Sequence, residues 1–188
     1  LLGLLPGSRG AELTQTGVIL VQAAVQILNQ NPEIGLVIPT LPHLKDKIKE
    51  LLKQIENKKI FIVDSPDEKA DAFAACDAAL ATSGTVGLEL AAAAVPHVIA
   101  YRMKALSWQI IRRMVRVRYA HLVNILLDAP VVPEFLQQDC TAGRIAPVVM
   151  ELLEGGARAQ AQKARFVEAM QLLGQGRTPS PAERAADF

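Results

Sequence analysis

Short apolar runs of strand type alternate with amphipathic helical segments through the first hundred residues, and this alternation restricts the chain more than any single motif does. Strands joined by crossover helices build a parallel sheet covered on both faces. Leu1 to Leu5 reads as the first strand, broken by Pro6-Gly7-Ser8-Arg9-Gly10. A helix over about Glu12 to Asn29 follows, with Val18, Val21, Val25 and Leu28 at spacings of three and four as its buried stripe. Gly35 to Ile38 is strand two, Lys45 to Ile55 a helix turning Ile48, Leu51, Leu52 and Ile55 inward, and Ile60 to Val63 strand three. Ser65-Pro66-Asp67-Glu68 predicts a capping box that opens a short helix ending near Ala75. Ala78 to Ala81 is strand four, and Val95 to Ala100 is strand five. Beyond it the alternation fades. Ser107 to Val117 reads as helical and Leu122 to Leu127 is an ambiguous apolar run. Thr141 caps a helix over about Ala142 to Leu153, and Arg158 to Leu173 is a last helix before a linker-like tail from Gly174. The expected class is α/β, a Rossmann-like parallel sheet with helices on both faces.

In open sheets of this kind ligands bind beyond the carboxyl ends of the strands, so the loops after strands one, three and four are expected to meet. Pro6-Gly7-Ser8-Arg9, Asp64-Ser65-Pro66 and Thr82-Ser83-Gly84-Thr85 are those loops. The last is the most informative, because it leads into an apolar helix with one acid, Glu89. A helix N-terminus leaves backbone N–H groups unpaired and carries roughly +0.5 charge, so Ser83, Gly84 and Thr85 offer donors to phosphate oxygens. Glu89 lies four residues past Thr85 on the same face, where a carboxylate accepts from vicinal ribose hydroxyls. Among Val86, Leu88, Leu90 and alanines, with no basic residue within a turn, Glu89 would be costly to bury unpaired. The arrangement fits the diphosphate of a nucleotide sugar. The competing reading is a capped core helix whose Glu89 finds a distant partner. Arg9 offers a cation to a phosphate or to a departing diphosphate, with Gly7 and Ser8 as N–H donors. Its competing reading is an ordinary surface arginine beside a tight turn.

Composition removes other classes. A net charge of +1 lacks the basic excess that bulk nucleic-acid binding needs, so no nucleic-acid partner is expected. Cys76 and Cys140 are too few and too far apart for a disulfide framework, and read as buried apolar thiols suited to a reducing cytosol. His43, His97 and His121 form no ligand-spaced cluster, so each reads as structural and no metal site is expected. Gly3, Gly7 and Gly10 do not make GxGxxG, no glycine-rich turn precedes the Lys-Ser/Thr of a P-loop, and no Gly-x-Ser-x-Gly elbow occurs. No apolar run approaches the roughly 18 to 20 residues of a membrane span. Leu1 stands where Met would begin a chain, and the expectation is a piece of a longer protein.

Leu5-Pro6-Gly7-Ser8-Arg9-Gly10-Ala11-Glu12, then Ala81-Thr82-Ser83-Gly84-Thr85 with Leu88-Glu89, then Ala100-Tyr101-Arg102-Met103-Lys104, resemble lipid-A-disaccharide synthase. Asn124-Ile125-Leu126-Leu127 and Val132-Pro133-Glu134-Phe135-Leu136-Gln137 belong to the same pattern. The resemblance covers about residues 1 to 154. It implies a glycosyltransferase with two Rossmann-like domains, the GT-B fold, of which residues 1–154 are the donor-binding domain and 155–188 a helix and tail. The resemblance further implies an acceptor domain, with its general base, that is expected to lie outside these residues. The implied reaction is an inverting transfer of 2,3-diacylglucosamine from UDP to 2,3-diacylglucosamine 1-phosphate, without a cofactor or metal. Glu89 would hold the ribose and Ser83 to Thr85 the diphosphate, with Arg9 and Asn124 close to the phosphates or the transferred sugar. One departure is visible. The family usually has Ser-Leu-Pro before the asparagine, whereas here it is His121-Leu122-Val123, and Asn124 loses the rigid proline before it. Its competing reading is an amide satisfying a turn.

Arg102 to Arg118 carries six basic residues and no acid, interleaved with Trp108 and aliphatic residues. This cationic amphipathic element predicts contact of Trp108, Arg112, Arg113 and Arg116 with an anionic membrane, and a peripheral location on the cytoplasmic side of the inner membrane. A solvated helix face is the equal alternative. A homodimer is left open. The rival readings of the whole are another UDP-sugar protein of this fold, such as a UDP-N-acetylglucosamine 2-epimerase or a peptidoglycan N-acetylglucosaminyltransferase, and a nucleotide-binding domain without chemistry.

Overall fold

A computed structural model of the chain describes residues 1–55, 59–104 and 118–175. Six parallel strands form one sheet in the order β3-β2-β1-β4-β5-β6. They are β1 (Leu2–Leu5), β2 (Leu36–Pro39), β3 (Ile60–Val63), β4 (Ala78–Thr82), β5 (His97–Tyr101) and β6 (Glu134–Leu136). The register is continuous, for example Leu4 beside Leu80 and Ala81 beside Ile99. The sixth strand has no counterpart in the sequence reading: three residues holding a glutamate give no period-two signal.

Alternation of side chains sends each central strand into two cores. Leu2, Leu4, Leu80, Val98 and Ala100 face one side, packed by α1 (Gly10–Gln30), α2 (Lys45–Leu52) and α6 (Ala142–Leu153). Leu5, Ala79, Ala81 and Ile99 face the other, packed by α3 (Lys69–Ala74), α4 (Val86–Ala92), α5 (Leu122–Leu127) and α7 (Ala157–Leu172). The last helix is part of the second core through Phe166, Ala169 and Met170.

α1 corrects two expectations. Its buried face is wider than the stripe expected, taking in Ile19, Leu20, Ala23, Ala24 and Ile27 while Val18 and Val25 are only partly covered. It is also a single helix of 21 residues holding an 18-residue window of mean hydropathy 1.3, long and apolar enough by composition to cross a membrane. Over half of that window is buried, packed in the first core with the sheet and α6, as in a core helix. Its second and third turns widen to a π-helix over Leu13–Gly17. There Thr16 is fully buried and accepts from the Arg102 N–H at 3.0 Å, tying α1 to the chain leaving β5. The predicted capping box at Ser65 does not form: α3 starts at Lys69, and Pro66 to Glu68 are a turn with no side-chain cap. Leu122–Leu127, ambiguous in sequence, is helical and ends on Asp128 in the left-handed region.

Both cysteines are partly or fully covered, and burial raises each thiol to about 11, so both stay protonated and unreactive near neutrality.

Candidate functional site

The sheet order places β1 and β4 side by side, with α1 leaving toward one face and α4 toward the other. This is the switch point at which open α/β sheets form a ligand crevice. The loops after β1 and β4 flank it, as the sequence predicts. The third expected loop reaches them through its end, where Lys69 meets Glu89 of the helix after β4. β3 is the far edge strand, and Asp64 accepts from Lys45 Nζ with both oxygens at 3.0 and 2.9 Å, which holds its carboxyl below the usual range.

After β4 the turn divides its donors. The Ser83 N–H continues the ladder to Ala100 at 3.0 Å, and its hydroxyl donates to the Ala120 carbonyl at 3.4 Å, so Ser83 is spent within the protein. Gly84 and Thr85 are exposed, and among the described residues nothing accepts from their amides. A Cβ added to Gly84 would meet nothing within 4 Å, so the turn opens onto free space. Beneath it the buried Thr82 hydroxyl has no hydrogen-bond partner among the described residues. Glu89 is not buried in hydrocarbon as its neighbours suggested. Its side chain is 43% exposed and ion-paired with Lys69, itself 42% exposed. Lys69 opens α3 just after the β3 loop, so the pair stands at the carboxyl rim of the sheet. Of the competing reading, a capped core helix whose Glu89 finds a distant partner, only the distant partner is present: the helix has no side-chain cap and Glu89 lies at the surface.

After β1 the expectation is corrected. Glu12, in the first turn of α1, folds its carboxylate back into the loop, where Oε2 accepts from the Ser8 and Arg9 amides at 3.0 and 3.2 Å. Ser8 and Arg9 therefore offer no free N–H. Gly7 has φ of +109°, and a Cβ there would stand 2.6 Å from the Glu12 Cβ, so glycine is required twice over. The Arg9 guanidinium contacts Glu12 Oε1 at 3.2 Å yet is 81% exposed, a weak pair that leaves the cation free to move to a ligand.

Asn124 is corrected more strongly. It is fully buried, its amide nitrogen donates to the Val132 carbonyl at 2.7 Å and to Glu134 Oε1 at 2.8 Å, and its oxygen accepts from the Val132 N–H at 2.8 Å. All of this ties α5 to β6. The missing proline has a physical replacement: the Val123 N–H donates to His121 Nδ1 at 3.1 Å, so the imidazole caps α5 where a proline would have had no N–H to give. Glu134 adds acceptance from the Ala120 and His121 amides.

His97 and His121 meet at 3.0 Å through their Nε2 atoms. The partners fix the tautomers. His121 accepts at Nδ1 and so donates from Nε2, while His97 donates from Nδ1 to the Val95 carbonyl at 2.8 Å and accepts at Nε2. Burial holds His97 down at about 4 and His121 at about 3, the latter also through its neighbour. Folded pKa values below the unfolded value near 6.5 mean that the unfolded chain takes protons first, so stability is full above that value and falls as pH drops from 6.5 toward 4 for His97 and toward 3 for His121. Thermal unfolding at pH 7.5, 6 and 5 is expected to show this decline, and replacing both histidines with apolar residues is expected to flatten it.

Trp108, Arg112, Arg113 and Arg116 lie outside the described residues, as does the helix predicted over 107–117. Sequence reasoning missed Lys69, Glu12, Glu134 and the histidine pair. Glu12, three residues past Arg9, was a visible signal of an acid at the start of a helix. A groove of about 540 Å³ lies elsewhere, between α1 and α2 beside Leu13, Val18 and Leu51, and contains nothing from 84–89.

Solved structures share this fold. A TarM structure aligns with a TM-score of 0.62 at 11% identity, over 99% of this chain and 34% of its own. A putative UDP-N-acetylglucosamine 2-epimerase from Listeria monocytogenes gives 0.57 at 14%, over 95% and 46%. Acinetobacter baumannii MurG gives 0.53 at 18%, over 90% and 44%. The fold is thus one Rossmann-like half of the GT-B architecture. The lipid-A-disaccharide synthetase family matches residues 1–187. The chain belongs to this family. Lipid-A-disaccharide synthases of Rhodospirillum centenum and Paramagnetospirillum magneticum are 46% and 40% identical to it, over 99% and 100% of this chain. The chain spans 46% and 48% of their lengths, about half of each relative. Among the described residues at this rim, the amides of Gly84 and Thr85, the exposed Arg9 and the half-exposed Glu89 carboxylate are open to solvent.

Proposed function

We propose that this chain is the sugar-nucleotide-binding half of a lipid-A-disaccharide synthase. The observation that carries the reading is the pairing of two amides without a partner among the described residues, Gly84 and Thr85, with a half-exposed Glu89 on the short helix they lead into at the β1/β4 switch point. UDP-2,3-diacylglucosamine is the donor and 2,3-diacylglucosamine 1-phosphate the acceptor, with inversion at the transferred sugar. The diphosphate lies against Gly84 and Thr85, where backbone N–H groups and the helix dipole offset its charge. Glu89 exchanges Lys69 for the ribose hydroxyls, and the released ammonium stays beside the phosphates. Arg9 swings from Glu12 to the leaving diphosphate, an exchange that its exposure permits at small cost. The acceptor groove and the base belong to the half of the enzyme beyond this chain. The family membership favours this over the epimerase and peptidoglycan readings. A peripheral site on the cytoplasmic face of an anionic membrane, contacted through Trp108, Arg112, Arg113 and Arg116, is part of the proposal because acylated sugars are met there.

Calorimetry tests it. UDP is expected to bind more tightly than ADP, and Glu89→Ala is expected to weaken UDP by about 1.5–3 kcal/mol, the scale of hydrogen bonds to a charged group. Equal affinity for UDP and ADP, or an unaffected Glu89→Ala variant, contradicts the reading.

A further inference from the structure

The two buried imidazoles have no place in the donor site as described, yet their contacts lead to it. A Cβ on Gly87 would overlap His121 Nε2, so the second residue of α4 rests directly on the ring. The carbonyl just before His121, that of Ala120, accepts from the Ser83 hydroxyl. The ring cannot yield, because the Val123 N–H holds one nitrogen and His97 holds the other. His97 is fixed in turn. Its Nδ1–H is on Val95, its ring stacks on Phe166 with centroids 5.2 Å apart, and Gln162 of α7 bonds its backbone N–H and carbonyl at 2.9 and 3.2 Å. A directed chain of hydrogen bonds thus runs from Val95 through both rings to the first turn of α5, with α4 seated against its middle. Glu134, which bonds the His121 backbone N–H, is the ionisable group on the α5 side; Gln162 and Phe166 face the pair from α7.

We propose that His121, locked by His97, is a positioning residue for the sugar nucleotide: the imidazole sets the height of α4 above α5, and so the direction in which the Gly84 and Thr85 amides meet the diphosphate. The proposal rests on the reading of 84–89 as the nucleotide site. His121 touches no ligand and acts through Gly87 and through the Ser83–Ala120 contact.

His121→Asn is the discriminating variant. Its side-chain oxygen can still cap the Val123 N–H, but it is too short to reach His97 and leaves the seat under Gly87 empty. By calorimetry on the full chain, UDP affinity is expected to fall about tenfold, the equivalent of one well-placed hydrogen bond, while circular dichroism stays that of the unsubstituted chain. Undiminished UDP affinity overturns the proposal and leaves the donor site standing. Failure of the unsubstituted chain to bind UDP overturns the donor-site reading, and this proposal with it. Should His121→Asn not fold, the unsubstituted chain decides. With imidazole nitrogens followed by NMR during UDP addition, His121 Nε2 is expected to shift in step with the Gly84 and Thr85 amides. Shifting amides beside unmoved ring nitrogens overturn the proposal.

Discussion

Asn124→Leu is expected to lower stability by about 4 kcal/mol, because it strands two buried backbone groups at roughly 1–3 kcal/mol each. The substitution keeps the branched shape and adds bulk rather than removing it, so no cavity enters the comparison. Both groups belong to Val132, which is 1% exposed and whose N–H and carbonyl each bond only to the Asn124 amide among the described residues. Glu134 also loses a donor, although the Ala120 and His121 amides still satisfy it. For a chain of this size the midpoint of thermal unfolding should drop by about 8–16 °C. An asparagine that served only the transferred sugar would leave that midpoint unchanged and reduce ligand affinity alone, so the two roles separate in one melting curve.

Gly87→Ala carries the second large effect, about 3 kcal/mol, at the upper end for overpacking a rigid site. Three atoms of the His121 ring lie where the new methyl group must go. Retreat of the ring breaks its bonds to Val123 and His97, and retreat of α4 disturbs the packing of Leu90 and Ala91 in the second core. His121→Ser in the same chain should recover part of the loss, since it removes the obstacle. A strongly non-additive double-mutant cycle is therefore expected, measured by urea unfolding. Additive effects would mean that Gly87 and His121 do not bear on one another.

The part of the fold that was legible in sequence is the part that local pattern specifies. Ile60–Val63 and Ala142–Leu153 have the bounds expected of them, because a bounded apolar run and a helical period each state their own geometry. β6 was hidden, since its place is fixed by pairing with β5 and by what Glu134 holds, neither of which leaves a periodic trace. The candidate site divides in the same way. The Gly84–Thr85 turn and Glu89 follow from helix-end electrostatics and spacing, which sequence displays. Lys69 came from another element twenty residues away, so the isolation of Glu89 among apolar neighbours was true along the chain and false in space. Ser83 and Ser8 were misread for one reason: a loop amide looks free in sequence until the tertiary fold supplies an acceptor, here Ala100 for one and Glu12 for the other. His97 and His121 show no metal spacing, and only the fold brings their rings together.

The proposed function places a uridine nucleotide at the turn between β4 and α4. Backbone amide NMR during UDP titration tests it most directly. Saturable shifts are expected, centred on Gly84, Thr85 and Glu89, with smaller ones at Ser8 and Arg9 as Arg9 leaves Glu12. Shifts centred instead on Leu13, Val18 and Leu51 in the groove between α1 and α2, with Gly84 and Thr85 unmoved at saturation, would contradict it.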